Sequence, residues 1–189
     1  MSRSLIPNPD SLDLAAVGTQ IGRDCLAMQH WYAVSVRPRH EKQVTRNLEY
    51  KGLRSFLPVY RSVRRWKDRR KEFDLALFPG YVFVNLSTHD RRGVLQAPGV
   101  LQFVTFQGHP APIPDEDIRA LESSLTSGLR PQPHPYLRQG KKVRIRSGPL
   151  MGAEGIMVRR KEGFRLVISI DLIMRSVMLE VDESDVEPF

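Results

Sequence analysis

Few side chains in this chain of 189 residues are spaced for catalysis. His40 and Glu41 open a run that would hold zinc only if a second histidine stood at 44, one turn along the same helical face, and Val44 is there instead. The five histidines, at 30, 40, 89, 109 and 134, share no ligand spacing. Cys25 is the only cysteine, so neither a thiolate set nor an internal disulfide is possible, and a reducing cytoplasm is the simplest home. Gly148, Gly152 and Gly155 lack the Gly-Lys-Ser/Thr ending of a phosphate loop. A strand rather than a helix is expected after them, so no helix N-terminus would receive a phosphate, and they read as turn glycines. No G-x-S-x-G elbow occurs. Neither an enzyme nor a metal or organic cofactor is expected.

The remaining chemistry is basic and aromatic. The net charge is +8, and residues 31–127 carry 16 basic against 10 acidic side chains while residues 139–189 carry 9 against 8. Seven basic residues fall in Arg61–Phe73 (RSVRRWKDRRKEF) against Asp68 and Glu72. Such a segment suits a polyanion, and it also suits a solvated hairpin that keeps the chain soluble. The second signal is FPGYVFVNL at 78–86. Alternation along this strand sends Val82, Val84 and Leu86 to one face and Tyr81, Phe83 and Asn85 to the other. Two rings on an uncovered sheet face imply a partner. The alternative is that they pack beneath the last helix or a second domain.

The elements that must position these residues follow from local pattern. Residues 1–29 show no sustained period and read as a loose extension. WYAVSV (31–36) is a strand. The stretch that follows puts Val44 and Leu48 on one helical stripe and ends at Gly52. Strands are expected at about 55–64 and 69–77, joined by the basic tip, then at 78–86. A short helix capped by Thr88 and a strand at 100–106 come next. Pro114-Asp115-Glu116-Asp117 places a proline and three acids where a helix dipole favours them. This β-α-β-β-α-β order with a terminal helix is the split βαβ plan of a ferredoxin-like domain over 30–127. Prolines 131, 133 and 135 mark 128–138 as a semi-extended linker. Short strands with glycine turns over 139–189 make a small SH3-like barrel, so the fold class is α+β. No apolar run of about 18 residues is present, and no membrane association is expected.

GYVFVNL resembles the RNP1 strand of RNA-recognition domains, whose aromatics stack bases, although Pro79 replaces the usual basic residue. A free-standing RNA-binding module is therefore one alternative, and a ribosome-associated KOW protein another. A fuller resemblance covers residues 30–189. WYAVSV, LFPGYVFVNL (77–86), APGVLQFVTF (97–106) and the KOW-like VRIRSGPLMGAEGIMV (143–158) together resemble the NusG family, in order across a linker. The resemblance implies a monomeric elongation or antitermination factor that binds the clamp helices of the RNA polymerase largest subunit through Phe78, Tyr81, Phe83 and Phe103. It implies a loop, His89, Asp90, Arg91 and Arg92, that touches the opposite side of the polymerase cleft. It implies a first helix, with Arg37, Gln43, Asn47 and Lys51, that meets the displaced non-template DNA. Arg64, Arg65, Trp66, Lys67, Arg69 and Arg70 of the basic hairpin would add nucleic-acid contacts, with nascent RNA a further candidate.

The second domain departs from housekeeping members at the loop they use toward Rho or a small-subunit ribosomal protein. Leu172-Ile173-Met174-Arg175 stands in place of Ile-Phe-Gly-Arg, which puts Rho in doubt and leaves Ile173 for a ribosomal partner. The stretch 167–182, read without Ile168 and containing SIDLIMRSV, is similar to the ending of UpxY-like paralogues, specialised antiterminators of long operons. Some family members refold the second domain as a helical hairpin over the polymerase surface. The β-branched residues Val167, Ile168, Ile170, Val177 and Val181 favour strands here instead.

Overall fold

The computed structural model describes residues 29–66, 69–87, 90–160 and 163–188, without the side chains of Arg64, Arg65, Trp66, Arg69, Arg159, Arg160 and Glu183. Residues 1–28 of the extension, Cys25 among them, and Lys67, Thr88 and His89 thus lie outside the described residues. The first domain contains β1 (His30–Val36), α1 (Glu41–Tyr50), β2 (Arg54–Phe56), β3 (Val59–Trp66), β4 (Arg69–Ala76), β5 (Tyr81–Leu86), α2 (Arg91–Leu95), β6 (Val100–Phe103), β7 (Thr105–Phe106), β8 (His109–Pro110), β9 (Pro112–Ile113) and α3 (Asp115–Thr126). The second contains β10 (Gln132–His134), β11 (Lys141–Ile145), β12 (Glu154–Arg160), β13 (Gly163–Ile170), β14 (Arg175–Val181) and β15 (Val186–Pro188).

The main sheet runs β2-β5-β1-β6, with β9 also on β1, and its β1–β5, β1–β6 and β2–β5 pairs are antiparallel. This is the split βαβ arrangement. Both faces of β1 are buried: Tyr32, Val34 and Val36 join Val82, Val84 and Leu86 beneath Val44 and Leu48 of α1 and Val94 of α2, while Trp31 and Ala33 enter a second cluster on the other side. Helix α1 stops where Gly52, at φ +73°, allows the Gly52 and Leu53 amides to turn back to the carbonyls of Glu49 and Leu48.

Two expectations shift. The strand anticipated at 55–64 is broken in two at Leu57-Pro58. Pro58 has no amide to donate, so β2 stays in the main sheet while β3 leaves it to pair with β4 as a separate ribbon. The linker is also shorter than 128–138, because β10 pairs with β14. Leu137 adds two hydrogen bonds, its amide to Ser176 Oγ at 3.1 Å and its carbonyl from Ser169 Oγ at 2.8 Å. Residues 127–131 then form the connection left outside sheet pairing.

The second domain is a six-stranded antiparallel sheet, β10-β14-β13-β12-β11-β15, of the SH3-like class. Its core gathers Val143, Ile145, Leu150, Leu166, Ile168 and Leu179, with Ala120 of α3 packed into the same cluster. Gly148 and Gly152 are turn residues at positive φ, as expected, but Gly155 lies within β12. A Cβ there would sit 2.6 Å from the Val167 carbonyl oxygen, so close approach of β13 explains it.

Candidate functional site

The ring face is built on β5 and the turn before it. Gly80 holds φ +84° and donates its amide to the buried Glu41 carboxylate at 2.8 Å, while its carbonyl accepts from Val36 at 2.9 Å. These two bonds fix Phe78-Pro79-Gly80 against β1 and α1. Glu41, the acid of the incomplete His40-Glu41 metal pattern, is a positioning residue for that turn. Phe78 and Phe83 meet edge to face at 5.6 Å, Phe83 lies 6.2 Å from Phe56, and Phe56 meets the edge of Trp31 at 6.3 Å. The Arg54 guanidinium sits 5.1 Å from the Trp31 ring.

The face expected to be open is covered. Phe78 and Phe83 are buried and Tyr81 is half-buried. One apolar cluster joins Trp31, Ala33 and Phe83 of the sheet, Phe78 of the turn before β5, Ile118 and Leu121 of α3, and Ile170, Ile173 and Val177 of the second domain. The physical reason is that rings on a sheet face are costly to leave in water, and α3 and the second domain together supply the apolar side chains packed on them. With Phe83 at 0% exposure, base stacking in the manner of RNP1 is closed to it in this arrangement.

Phe103 does not join the other rings. It pairs with Val34 across β1–β6, and cross-strand partners share a face, so it packs on Tyr32 at 6.1 Å beneath the helices. A register shift between Ser35 and Val36 accompanies this pairing.

The other expected residues scatter. Asp90 precedes α2 and accepts from Ser87 Oγ at 2.9 Å. The Arg91 guanidinium lies 5.3 Å from the Tyr32 ring, and Arg92 is exposed. Gln43, Asn47 and Lys51 recur at helical spacing on α1, where Lys51 Nζ donates to the Gly93 carbonyl at 3.0 Å; Arg37 is exposed before the helix. A neighbouring stripe, Lys42, Arg46 and a fully exposed Tyr50, was missed, although its i, i+4 spacing was readable. Arg70 is exposed on β4. Leu172 and Ile173 enter the cluster beneath the rings, while Met174, in a left-handed conformation at φ 49°, and Arg175 stay outside.

Beside this contact a cleft of about 870 Å³ is lined by Asp117 of α3 and by Glu154 and Asp171 of the second domain. The Asp117 carboxyl is pushed up to about 6, by burial first and then by Glu116, Asp171 and Glu154. Asp171 and Glu154 belong to the second domain, so the part of the rise they cause depends on the contact, whereas the part from Glu116 does not. To that extent the closed arrangement holds the proton more tightly than an opened one, and closure weakens as pH rises through about 6. A pair of spectroscopic labels, one per domain, should report a tighter contact at pH 5 than at pH 7.5. The difference should shrink in Asp117→Asn.

Among the described residues no group of three or more His, Cys, Asp or Glu could hold a metal ion, and no helix is long and apolar enough to cross a membrane.

Comparison with known proteins converges on one family. The model of the family described as transcription termination factor nusG matches residues 29–122. The transcription termination/antitermination protein NusG of Escherichia coli K12 is 28% identical over 173 residues, covering 84% of this chain and 96% of that protein. Those of Pseudomonas aeruginosa (27% identical, 84% and 98% covered) and Staphylococcus aureus (28%, 84% and 95%) are similar to the same extent. Among solved structures, one described as domain interaction in Thermotoga maritima NusG superposes with a TM-score of 0.50 at 23% identity, covering 86% of this chain and 98% of that one. The paired domains, the fixed Phe-Pro-Gly turn and these matches together establish that the chain belongs to the NusG family of transcription termination/antitermination factors.

Proposed function

We propose that this chain is a transcription elongation and antitermination factor that docks on the clamp helices of RNA polymerase through Phe78, Tyr81, Phe83 and Trp31. The observation that carries the reading is the nature of the cover over those rings. Part of it is a second domain attached through residues 127–131. Most of that domain's buried apolar residues lie in a cluster apart from the rings and shared with the first domain only through Ala120 of α3, so moving the domain away would uncover the rings while leaving most of both cores in place. Rings of this kind act as interface anchors when buried against a partner, with charged residues at the rim.

The same contact holds Leu172 and Ile173, so the loop proposed to meet a ribosomal partner is released together with the polymerase face. Two partners that both select the open form aid each other's binding by the same factor. Asp90, Arg91 and Arg92 would face the far side of the cleft, and α1 the displaced strand. The SIDLIMRSV segment supports a specialised, UpxY-like paralogue acting on particular operons in the cytoplasm.

Capture of the full chain on immobilised clamp-helix coiled coil tests the core of this reading. Saturable binding that falls at least tenfold in Tyr81→Asp is the expected result. Binding that ignores this substitution would remove the ring face from the proposal.

A further inference from the structure

Strands β3 and β4 pair only with each other among the described strands, forming a ribbon of eight residues a side, about 26 Å long at the usual ~3.3 Å rise. Its register sorts the charges. Ser62–Phe73, Arg64–Lys71 and Trp66–Arg69 are opposed at one set of positions, and Arg61–Asp74, Val63–Glu72 and Arg65–Arg70 at the other. Opposed residues of an antiparallel pair share a face, and successive residues alternate between faces. Both carboxylates on the described strands therefore belong to the second face, where Glu72 pairs with Arg61 at 3.5 Å. The first face holds three basic residues and no acid, a charge of +3. The second holds three basic residues and two acids, a charge of +1.

Phe73 lies on the first face, partly exposed with the Lys71 ammonium 5.4 Å from its ring, and the register position of Trp66 belongs to the same set. At its base the same set includes Tyr60, opposed to Leu75, and Tyr60 packs on the ring cluster beneath the second domain. The acid-free face thus continues from the proposed polymerase-facing side of the domain.

We propose that the ribbon is two-faced, with Arg64, Lys71, Arg69 and the adjoining Phe73 and Trp66 receiving the phosphate backbone of a nucleic acid and the Arg61–Glu72 side turned away from it. This deepens the nucleic-acid part of the proposed function by assigning one face of the hairpin and adding Lys71 and Phe73, while Arg65 and Arg70 leave the interface. Phosphate neutralisation releases counterions, and each such contact steepens the salt dependence by about 0.7 on a single strand or 0.9 on a duplex.

Two charge-matched variants of the full chain separate the faces: Arg64→Glu with Lys71→Glu, and Arg61→Glu with Arg65→Glu. The probes are a 20-nucleotide single strand and a 20-base-pair duplex, titrated across a salt series. The first pair should weaken binding at least tenfold and flatten the log–log salt slope by about two contacts, and the second pair by less than threefold. The probe with the larger loss identifies the strandedness recognised. Equal losses in the two variants, or a greater loss in the second, would overturn the two-faced ribbon, as would a wild type that binds neither probe. Clamp-helix capture measured on the same variants should be unchanged. A ribbon failure with intact capture leaves the polymerase reading standing, and the reverse result isolates that reading as the one at fault.

Discussion

Replacing Ile173 with aspartate should raise the affinity of the full chain for isolated clamp helices by about ten- to a hundredfold. Ile173 lies in the turn between β13 and β14, is 5% exposed, and belongs to the cluster under Phe78 and Phe83 rather than to the second domain's own core. Removing a buried isoleucine from that contact forfeits roughly 1.5–3 kcal/mol of apolar burial. A carboxylate left there adds a desolvation cost that opening relieves. When the binding-competent form is a minority, apparent affinity rises in proportion to its population, and about 1.4 kcal/mol is a factor of ten. The gain saturates once the open form dominates. Titration calorimetry with the coiled coil reads the affinity, and inter-domain label distances read the opening. An opened variant that binds no better than wild type would show that the second domain is not a cover in the proposed sense. Because Ile173 is also proposed for the ribosomal contact, the variant should gain toward polymerase while losing toward that second partner.

The parts of this arrangement that were legible in the sequence are those set by local period. Alternation in Tyr81–Leu86 sorts its side chains correctly, with Val82, Val84 and Leu86 beneath the helices and Phe83 on the opposite face. The i, i+4 stripe of Val44 and Leu48 finds the helix that covers the first of these faces. Phe103 was not legible, because its face depends on which residue of β1 it opposes, and the register shift at Ser35/Val36 is a property of the pairing rather than of either strand. The covering of the rings was not legible either. Ile170 and Val177 have the pattern of ordinary strand residues, and nothing in that pattern distinguishes burial within their own domain from burial against another. β10 escaped notice for a related reason. Pro131, Pro133 and Pro135 read as a stiff linker, yet an edge strand tolerates proline, and Gln132–His134 needs only one neighbour.

The same burial divides the rings into those whose truncation also endangers the fold and one, Tyr81, whose truncation can report on the partner contact separately. Phe83→Ala should lower stability by about 3–5 kcal/mol, because a ring at 0% exposure packed against Phe78 and Phe56 leaves a cavity that its neighbours cannot fill. Against a total of about 5–15 kcal/mol for a typical domain, that loss endangers folding, so reduced binding by this variant would carry no information about the interface. Tyr81 differs in being half-buried at the margin of the cluster, next to the Gly80 turn. Tyr81→Ala should cost about 1 kcal/mol in urea unfolding, in the range ordinary for partly exposed positions. Placed in the opened Ile173→Asp chain, where the cover no longer competes, it should weaken clamp-helix binding at least tenfold. The informative quantity is the ratio of the two effects. An interface anchor loses more in binding than in stability, whereas a residue that serves only the core loses at least as much in stability. If Tyr81→Ala moves the urea midpoint strongly and leaves the opened chain's affinity intact, the rings are core alone and the polymerase must be met by another surface.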